Sequence, residues 1–189
     1  MATSTPPGDS TPGVSEVNTA QQVPPPEVLY ADELNLLARQ EGPKPPGWRL
    51  TPSAVVSFIC GNPRLKISRK FVGDVSLVER CVITLAGERA LLLVGEPGTA
   101  KSMLSELLSA AICGTSALTV QGSAGTTEDQ LRYGWNYAQL LARGPSVDAL
   151  VPSPVLAAMS SGRVARIEEI TRCLPEVQDS LVSILSERR

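Results

Sequence analysis

Gly95-Glu96-Pro97-Gly98-Thr99-Ala100-Lys101-Ser102 stands between a short apolar run, Ala90 to Val94, and a stretch from Ser102 to Ile112 whose apolar residues recur with a helical period. An apolar run of that length bounded by polar residues and glycine reads as a strand buried on both faces, as in a parallel sheet under helices. The turn between the two then presents backbone N–H groups and the positive end of a helix to an anion. Gly95 and Gly98 keep the backbone open, the Lys101 ammonium can neutralise phosphate charge, and the Ser102 hydroxyl is a hard oxygen suited to Mg²⁺. The strict form of this loop has glycine at position 100. Ala100 is the smallest departure from it and tolerates a positive φ less well.

Outward from the loop, Asp74 is placed to cap a helix bearing Val75, Val78, Val82 and Ile83 and closing at Gly87. Downstream, Ala117 to Gln121 and Arg163 to Ile167 read as further strands, and Glu176 to Arg188 as a helix with Val177, Leu181, Ile184 and Leu185 inward. Strands alternating with helices predict an α/β fold with a parallel sheet. The strand Val164-Ala165-Arg166-Ile167 runs into Glu168-Glu169, an apolar strand ending in carboxylates, as a Mg²⁺ shell and a water-orienting base require. Successive strand side chains face opposite ways, so both carboxylates reach one site only if the backbone turns where the strand ends.

Composition removes other chemistries. Among 189 residues there is no His, which excludes a Ser/His/Asp triad and a His-ligated metal. Cys60, Cys81, Cys113 and Cys173 form no CxxC pair and read as reduced, mostly buried apolar residues rather than a zinc cluster or redox dithiol. With 17 Lys+Arg against 19 Asp+Glu, the net charge of −2 gives no electrostatic reason for nucleic acid or an anionic membrane as partner. No run approaches the ~18 apolar residues of a membrane span. Met1 to Tyr30 has neither the basic start nor the apolar core of a secretory signal, so a cytoplasmic protein is expected.

The organisation divides in three. Residues 1–30, rich in Thr, Ser, Pro and Gln and ending in Pro24-Pro25-Pro26, read as a disordered tail. Residues 31–66 read as a helical extension: Ala31 to Gln40 with Leu34 and Leu37 on one face, a Pro-rich break, then a helix opening at Thr51-Pro52 and ended by Gly61. Residues 67–189 carry the α/β core.

Together these residues resemble the MoxR branch of the AAA+ ATPases. The Gly-x-Pro-Gly-Thr-Ala-Lys-Ser form of the loop is similar to that branch, Ala100 included, as are Ala149-Leu150-Val151-Pro152-Ser153-Pro154, the run Gly162 to Arg172, and Pro175-Glu176-Val177-Gln178. The resemblance covers about Phe71 to Arg189. It implies a P-loop NTPase sheet with flanking helices, ATP and Mg²⁺ as ligands, and ATP hydrolysis in a chaperone-like remodelling motor. By analogy Gly95, Glu96, Pro97, Gly98, Thr99, Ala100, Lys101 and Ser102 hold the phosphates, Ser102 and Glu168 the Mg²⁺, and Glu169 activates water. Glu168 departs from the usual aspartate, and its extra methylene moves the carboxylate outward. Arg172 falls on an arginine common in the branch, with contacts toward a neighbouring subunit, and the segment Phe71-Val72-Gly73 falls where the adenine is bordered. The resemblance further implies a homo-oligomeric ring and a protein client or von Willebrand A-domain partner.

In that family the carboxylate strand is followed by a sensor strand, an arginine finger and a helical lid, none of which this sequence shows. The sensor strand lies between the strands carrying Gly95 and Glu169. The expectation is therefore an incomplete ATPase core, truncated after the carboxylate strand, with an open central seam; the isolated chain is expected to be a weak ATPase or none. The alternative is a nucleotide-binding switch or scaffold without turnover. A small-molecule kinase is disfavoured by Glu168-Glu169-Ile170-Thr171-Arg172 and the amphipathic helix after Pro175. Arg64, Lys66, Arg69 and Lys70 read as a solvated basic flank, and Tyr133, Trp135 and Tyr137 as rings packed on the sheet, which weighs against nucleic-acid stacking.

Overall fold

A computed structural model describes residues 23–87 and 89–187. Residues 1–22, most of the expected tail, lie outside the described residues. The tail's expected boundary at residue 30 moves earlier, because Pro26–Leu29 form a helical turn, α1. It is tied down at long range: the Ser116 amide and hydroxyl donate to the two Glu27 carboxylate oxygens, each at 2.9 Å.

Helix α2 (Ala31–Ala38) buries Leu34 and Leu37. Helix α3 (Pro52–Cys60) starts where expected: the Thr51 hydroxyl accepts the Ala54 N–H at 3.2 Å, Pro52 fills the first turn, and Gly61 ends it at φ +84°. Helix α4 (Val75–Ala86) is capped by Asp74, which accepts the Ser76 N–H at 3.0 Å. Helix α5 (Lys101–Cys113) follows the phosphate loop and ends at Gly114, whose φ of +75° suits glycine. Leu34, Leu37, Leu50, Val55, Phe58, Ile59, Val78, Val82, Leu104, Leu107 and Leu108 share one apolar cluster. Residues before and after position 66 are thus one core.

Two small sheets complete the fold. Strand β1 (Thr119–Gln121) pairs in parallel with β4 (Arg166–Glu168), Val120 opposite Ile167. Between them come helix α6 (Glu128–Leu131), strand β2 (Tyr133–Trp135), helix α7 (Tyr137–Arg143), strand β3 (Leu150–Pro152), antiparallel to β2, and helix α8 (Pro154–Ser161). Helix α9 (Pro175–Glu187) closes the chain. A second cluster, built on Val120, Leu131, Val155, Cys173, Val177 and Ile184, packs α6, α8 and α9 around the parallel pair. The fold is α/β with a small parallel sheet, and no described helix is long and apolar enough to cross a membrane.

Three expectations are corrected. Ala90 to Val94 forms no strand among the described residues. A strand exists only through a ladder partner, and no described strand pairs with this run; Leu91 and Leu93 pack inward while Leu92 and Val94 are 73% and 85% exposed. The basic run is not uniformly solvated: the Lys70 side chain is buried, its Nζ paired with the Glu33 carboxylate and 4.6 and 4.3 Å from the Tyr30 and Phe58 ring centroids. It also donates to the carbonyls of Phe58 and Ser68, both at 3.0 Å, which satisfies its hydrogens. Finally, the aromatics do not lie on the parallel sheet. Tyr133 and Trp135 sit on the β2–β3 ribbon with rings edge to face at 5.8 Å, and Tyr137 is exposed on α7.

Candidate functional site

The phosphate loop and the carboxylate strand meet at the C-terminal end of β4. Ala100, immediately before α5, adopts φ +58°, ψ +27°, so the chain uses the left-handed conformation that glycine would take without strain. Its carbonyl accepts the Leu104 N–H at 2.9 Å, which opens the helix. The Thr99 hydroxyl donates to the Glu96 carbonyl at 2.8 Å and braces the turn. Gly98, at φ +79°, has no atom within 4 Å of where a Cβ would stand. Lys101 curls across the loop, donating to the carbonyls of Gly95 and Glu96 at 2.8 and 2.7 Å.

Ser102, in the first turn of α5, donates to Glu168 Oε2 at 2.6 Å. One turn further, Ser105 donates to Glu168 Oε1 at 2.8 Å. Both oxygens of the carboxylate at the end of β4 are thereby held by one face of α5.

Glu169 behaves differently. The strand ends at Glu168, and Glu169 turns into the left-handed region at φ +53°, ψ +40°, ahead of a 3-10 turn over Ile170–Arg172. This is the backbone turn that adjacent carboxylates require. It delivers Glu169 to Arg172, whose Nε donates to Oε2 at 3.2 Å, rather than to the loop. A bulky residue in this conformation is strained by about 1–3 kcal/mol and is held only by its surroundings. Part of that support is Gly122, which follows β1: its N–H donates to the Glu168 carbonyl at 2.8 Å. A Cβ there would lie 2.5 Å from the Glu169 carbonyl oxygen and 2.8 Å from that of Glu168.

A cavity of about 300 Å³ opens beside the loop, lined by Phe71, Leu77, Leu93, Val94, Gly95, Thr99, Lys101 and Leu104. Its apolar wall and single ammonium fit a flat ring with a phosphate attached. Phe71 lines it; Val72 is 89% exposed and does not. Arg69 shapes its rim, donating to the carbonyls of Phe71 and Gly73 at 3.0 and 2.9 Å. A larger cavity of about 520 Å³, between β1 and the β2–β3 ribbon, contains none of the predicted site residues.

Ser105 and Gly122 were not singled out from the sequence, and Arg69 was read only as part of a solvated basic flank. Ser105 had a usable signal, because three residues after Ser102 on a helix is the same face. Gly122 and Arg69 act through contacts that depend on the tertiary fold.

The loop Gly95 to Ala100 opens α5 beside an apolar cavity and is joined through Ser102 to the carboxylate that ends β4, the arrangement of an AAA-type module. The chain belongs to the AAA domain family (dynein-related subfamily), whose model matches residues 90–189. Membership places it among the AAA+ P-loop ATPases, which bind ATP and often assemble into oligomers. The chain is 54% identical over 176 residues to the uncharacterized protein YehL of Escherichia coli (strain K12), a match covering 93% of this chain and 49% of that protein. The chain thus spans about half the length of that curated relative. No solved structure matches.

Proposed function

We propose that this chain carries the nucleotide site of a MoxR-like remodelling ATPase. The observation that carries the reading is the 2.6 Å bond from Ser102 to Glu168, which joins loop and carboxylate across 66 residues of sequence. The phosphates lie against Gly95 to Ser102, and Lys101 exchanges its carbonyl partners for phosphate oxygens. The base occupies the apolar cavity beside Phe71 and Leu93. A serine hydroxyl and a carboxylate within hydrogen-bond distance are a hard-oxygen pair suited to Mg²⁺, an ion usually held by one or two carboxylates plus substrate phosphates. When bound, Mg²⁺ neutralises charge developing on the phosphoryl oxygens.

Glu169 is the candidate base. Its exposed pairing with Arg172 is worth about 0–1 kcal/mol, a small barrier to rotating toward a water. The same pairing favours a second reading: while Arg172 retains Glu169, the site binds nucleotide without turnover and serves as a switch. A neighbouring subunit that engaged Arg172 would release the carboxylate, which fits a motor active as a ring on a protein client.

The uncovered run Ala90 to Val94 and the β4 edge away from β1 support a further part of the reading, that another strand inserts between them in the working protein. Exposed Leu92 and Val94 give such a strand an apolar partner.

The test is binding of a fluorescent ATP analogue with Mg²⁺, followed by phosphate release. Binding by the parent and its loss in Lys101→Ala is expected. Glu169→Gln is expected to keep binding and lose turnover in the motor reading. Equal binding by parent and Lys101→Ala would overturn the assignment of the loop, and a parent that binds without any turnover in its assembled form would favour the switch.

A further inference from the structure

We propose that Ser105 is a positioning residue for the metal shell, fixing the Glu168 carboxylate so that a glutamate can serve where an aspartate is usual. The inference rests on the reading of the site as a Mg²⁺–nucleotide site.

A glutamate has one more rotatable bond than an aspartate. Its carboxylate reaches farther from the strand and samples more orientations, and each orientation that must be suppressed on metal binding weakens it. The structure supplies a counterweight on the facing helix. Ser102 takes Oε2 at 2.6 Å and Ser105 takes Oε1 at 2.8 Å, so the carboxylate is gripped at both ends by two hydroxyls on one face of α5. With only one of these bonds the carboxylate could pivot about the bonded oxygen. With both, its plane and its remaining lone pairs are fixed.

Ser105 also lies 2.8 Å from the Ser102 carbonyl, a common resting place for a helical serine. The hydroxyl has a single hydrogen to offer. A charged carboxylate is the stronger acceptor, so the bond to Glu168 prevails over the one inside the helix. The hydroxyl is half-buried, which limits competition from water. Partners of this kind, bonded to a metal ligand without touching the metal, characteristically contribute about 10–100-fold to metal affinity.

The experiment uses the full 189-residue chain and two readouts: affinity for a fluorescent ATP analogue in EDTA, and Mn²⁺ affinity of the nucleotide complex by electron paramagnetic resonance. Alanine is a better helix former than serine, so Ser105→Ala is not expected to unfold α5. Its EDTA affinity should stay within about twofold of the parent, while Mn²⁺ affinity falls about tenfold. Ser105→Thr, which keeps the hydroxyl, should restore most of that loss. In a Glu168→Asp background the shorter carboxylate no longer spans both hydroxyls, so adding Ser105→Ala should change Mn²⁺ affinity less than twofold. Full Mn²⁺ affinity in Ser105→Ala would overturn the proposal, as would an equal loss in both backgrounds, which would mark a helix effect. If the parent shows no Lys101-dependent nucleotide binding, the nucleotide-site reading fails and takes the proposal with it. That outcome is read before any Ser105 variant and is distinct from intact binding with an indifferent Ser105.

Discussion

Replacing Gly122 with alanine tests whether the carboxylate strand is positioned by a backbone contact. The added Cβ would stand 2.5 Å from the Glu169 carbonyl oxygen, 2.8 Å from that of Glu168 and 3.0 Å from Cys173 Sγ, where ordinary contact begins near 3.4 Å. Two of these neighbours are backbone, so nothing flexible can swing aside, and the 168–169 segment must retreat by nearly an ångström at its tightest point. Retreat strains the 2.8 Å bond from the Gly122 N–H to the Glu168 carbonyl. Overpacking costs about 1–3 kcal/mol and the weakened bond about 0.5–1.5 kcal/mol. Restriction of the unfolded chain returns about 0.4–1 kcal/mol. A net loss of about 0.5–4 kcal/mol follows, and for a chain of this size roughly 2–4 °C of melting temperature per kcal/mol. Gly134→Ala is the control, because its Cβ would meet nothing within 4 Å. Circular-dichroism melts read the stability, and phosphate release in the assembled protein reads the site. Displacing a reacting group by about an ångström can cost on the order of a hundredfold in rate, so turnover should fall much further than stability. A Gly122→Ala protein that melts with the parent and turns over at the parental rate would refute the argument.

Other outcomes follow from the same geometry. Ala100→Gly relieves a left-handed alanine at about 1–2 kcal/mol and loses about 0.4–1 kcal/mol to the unfolded chain, so thermal melts should show no change or a gain of up to about 1.5 kcal/mol. Destabilisation by the glycine would contradict the observed φ. Burial alone would push the Glu33 carboxyl up, but hydrogen bonds from Lys70, the Ser68 hydroxyl and the Ser68 amide, together with the Lys70 charge, hold it below the usual range. A lowered folded-state value means stability that is present above the ordinary carboxylate value and lost as pH falls through the folded one. Urea melts of the parent should therefore weaken from about pH 4.5 downward, and Glu33→Gln should flatten that part of the curve. Arg172→Ala leaves Glu169 without its cation; stability should move by less than about 1 kcal/mol, and nucleotide affinity should hold within about threefold in the binding assay, since Arg172 contacts neither the loop nor its cavity.

The helix boundaries that frame the candidate site were legible because their signals are local. The start of a helix at Lys101-Ser102 after a glycine-bearing loop, and the caps at Thr51 and Asp74, each act within a few residues, and each stands where the sequence indicated. Ala90 to Val94 failed as a strand for the opposite reason: strand identity depends on a distant partner, and periodicity cannot say whether one is there. Lys70 is a similar case. In sequence it sits among Arg64, Lys66 and Arg69 as one more surface cation, whereas Tyr30 and Glu33 at the start of α2 and Phe58 on α3 enclose it. The orientation of Glu169 depends on its own φ and on a glycine 47 positions away, as the contact from Gly122 shows. The α6–α8 region, with its antiparallel ribbon, escaped the sequence reading because its elements span only a few residues each.

Helix α5 has a second end. Its 13 residues make a rod about 20 Å long. Lys101 stands at one tip, and at the other the Ile112 carbonyl accepts the Arg49 N–H at 2.7 Å, next to Trp48, which packs on the same core. A tilt of the first turn of α5 would be felt at the other end through the bond to Arg49, beside Trp48 in sequence. Of the chain's two tryptophans, Trp48 adjoins the residue bonded to the far end of the helix that begins at the loop, which makes its fluorescence the natural place to look for such a tilt.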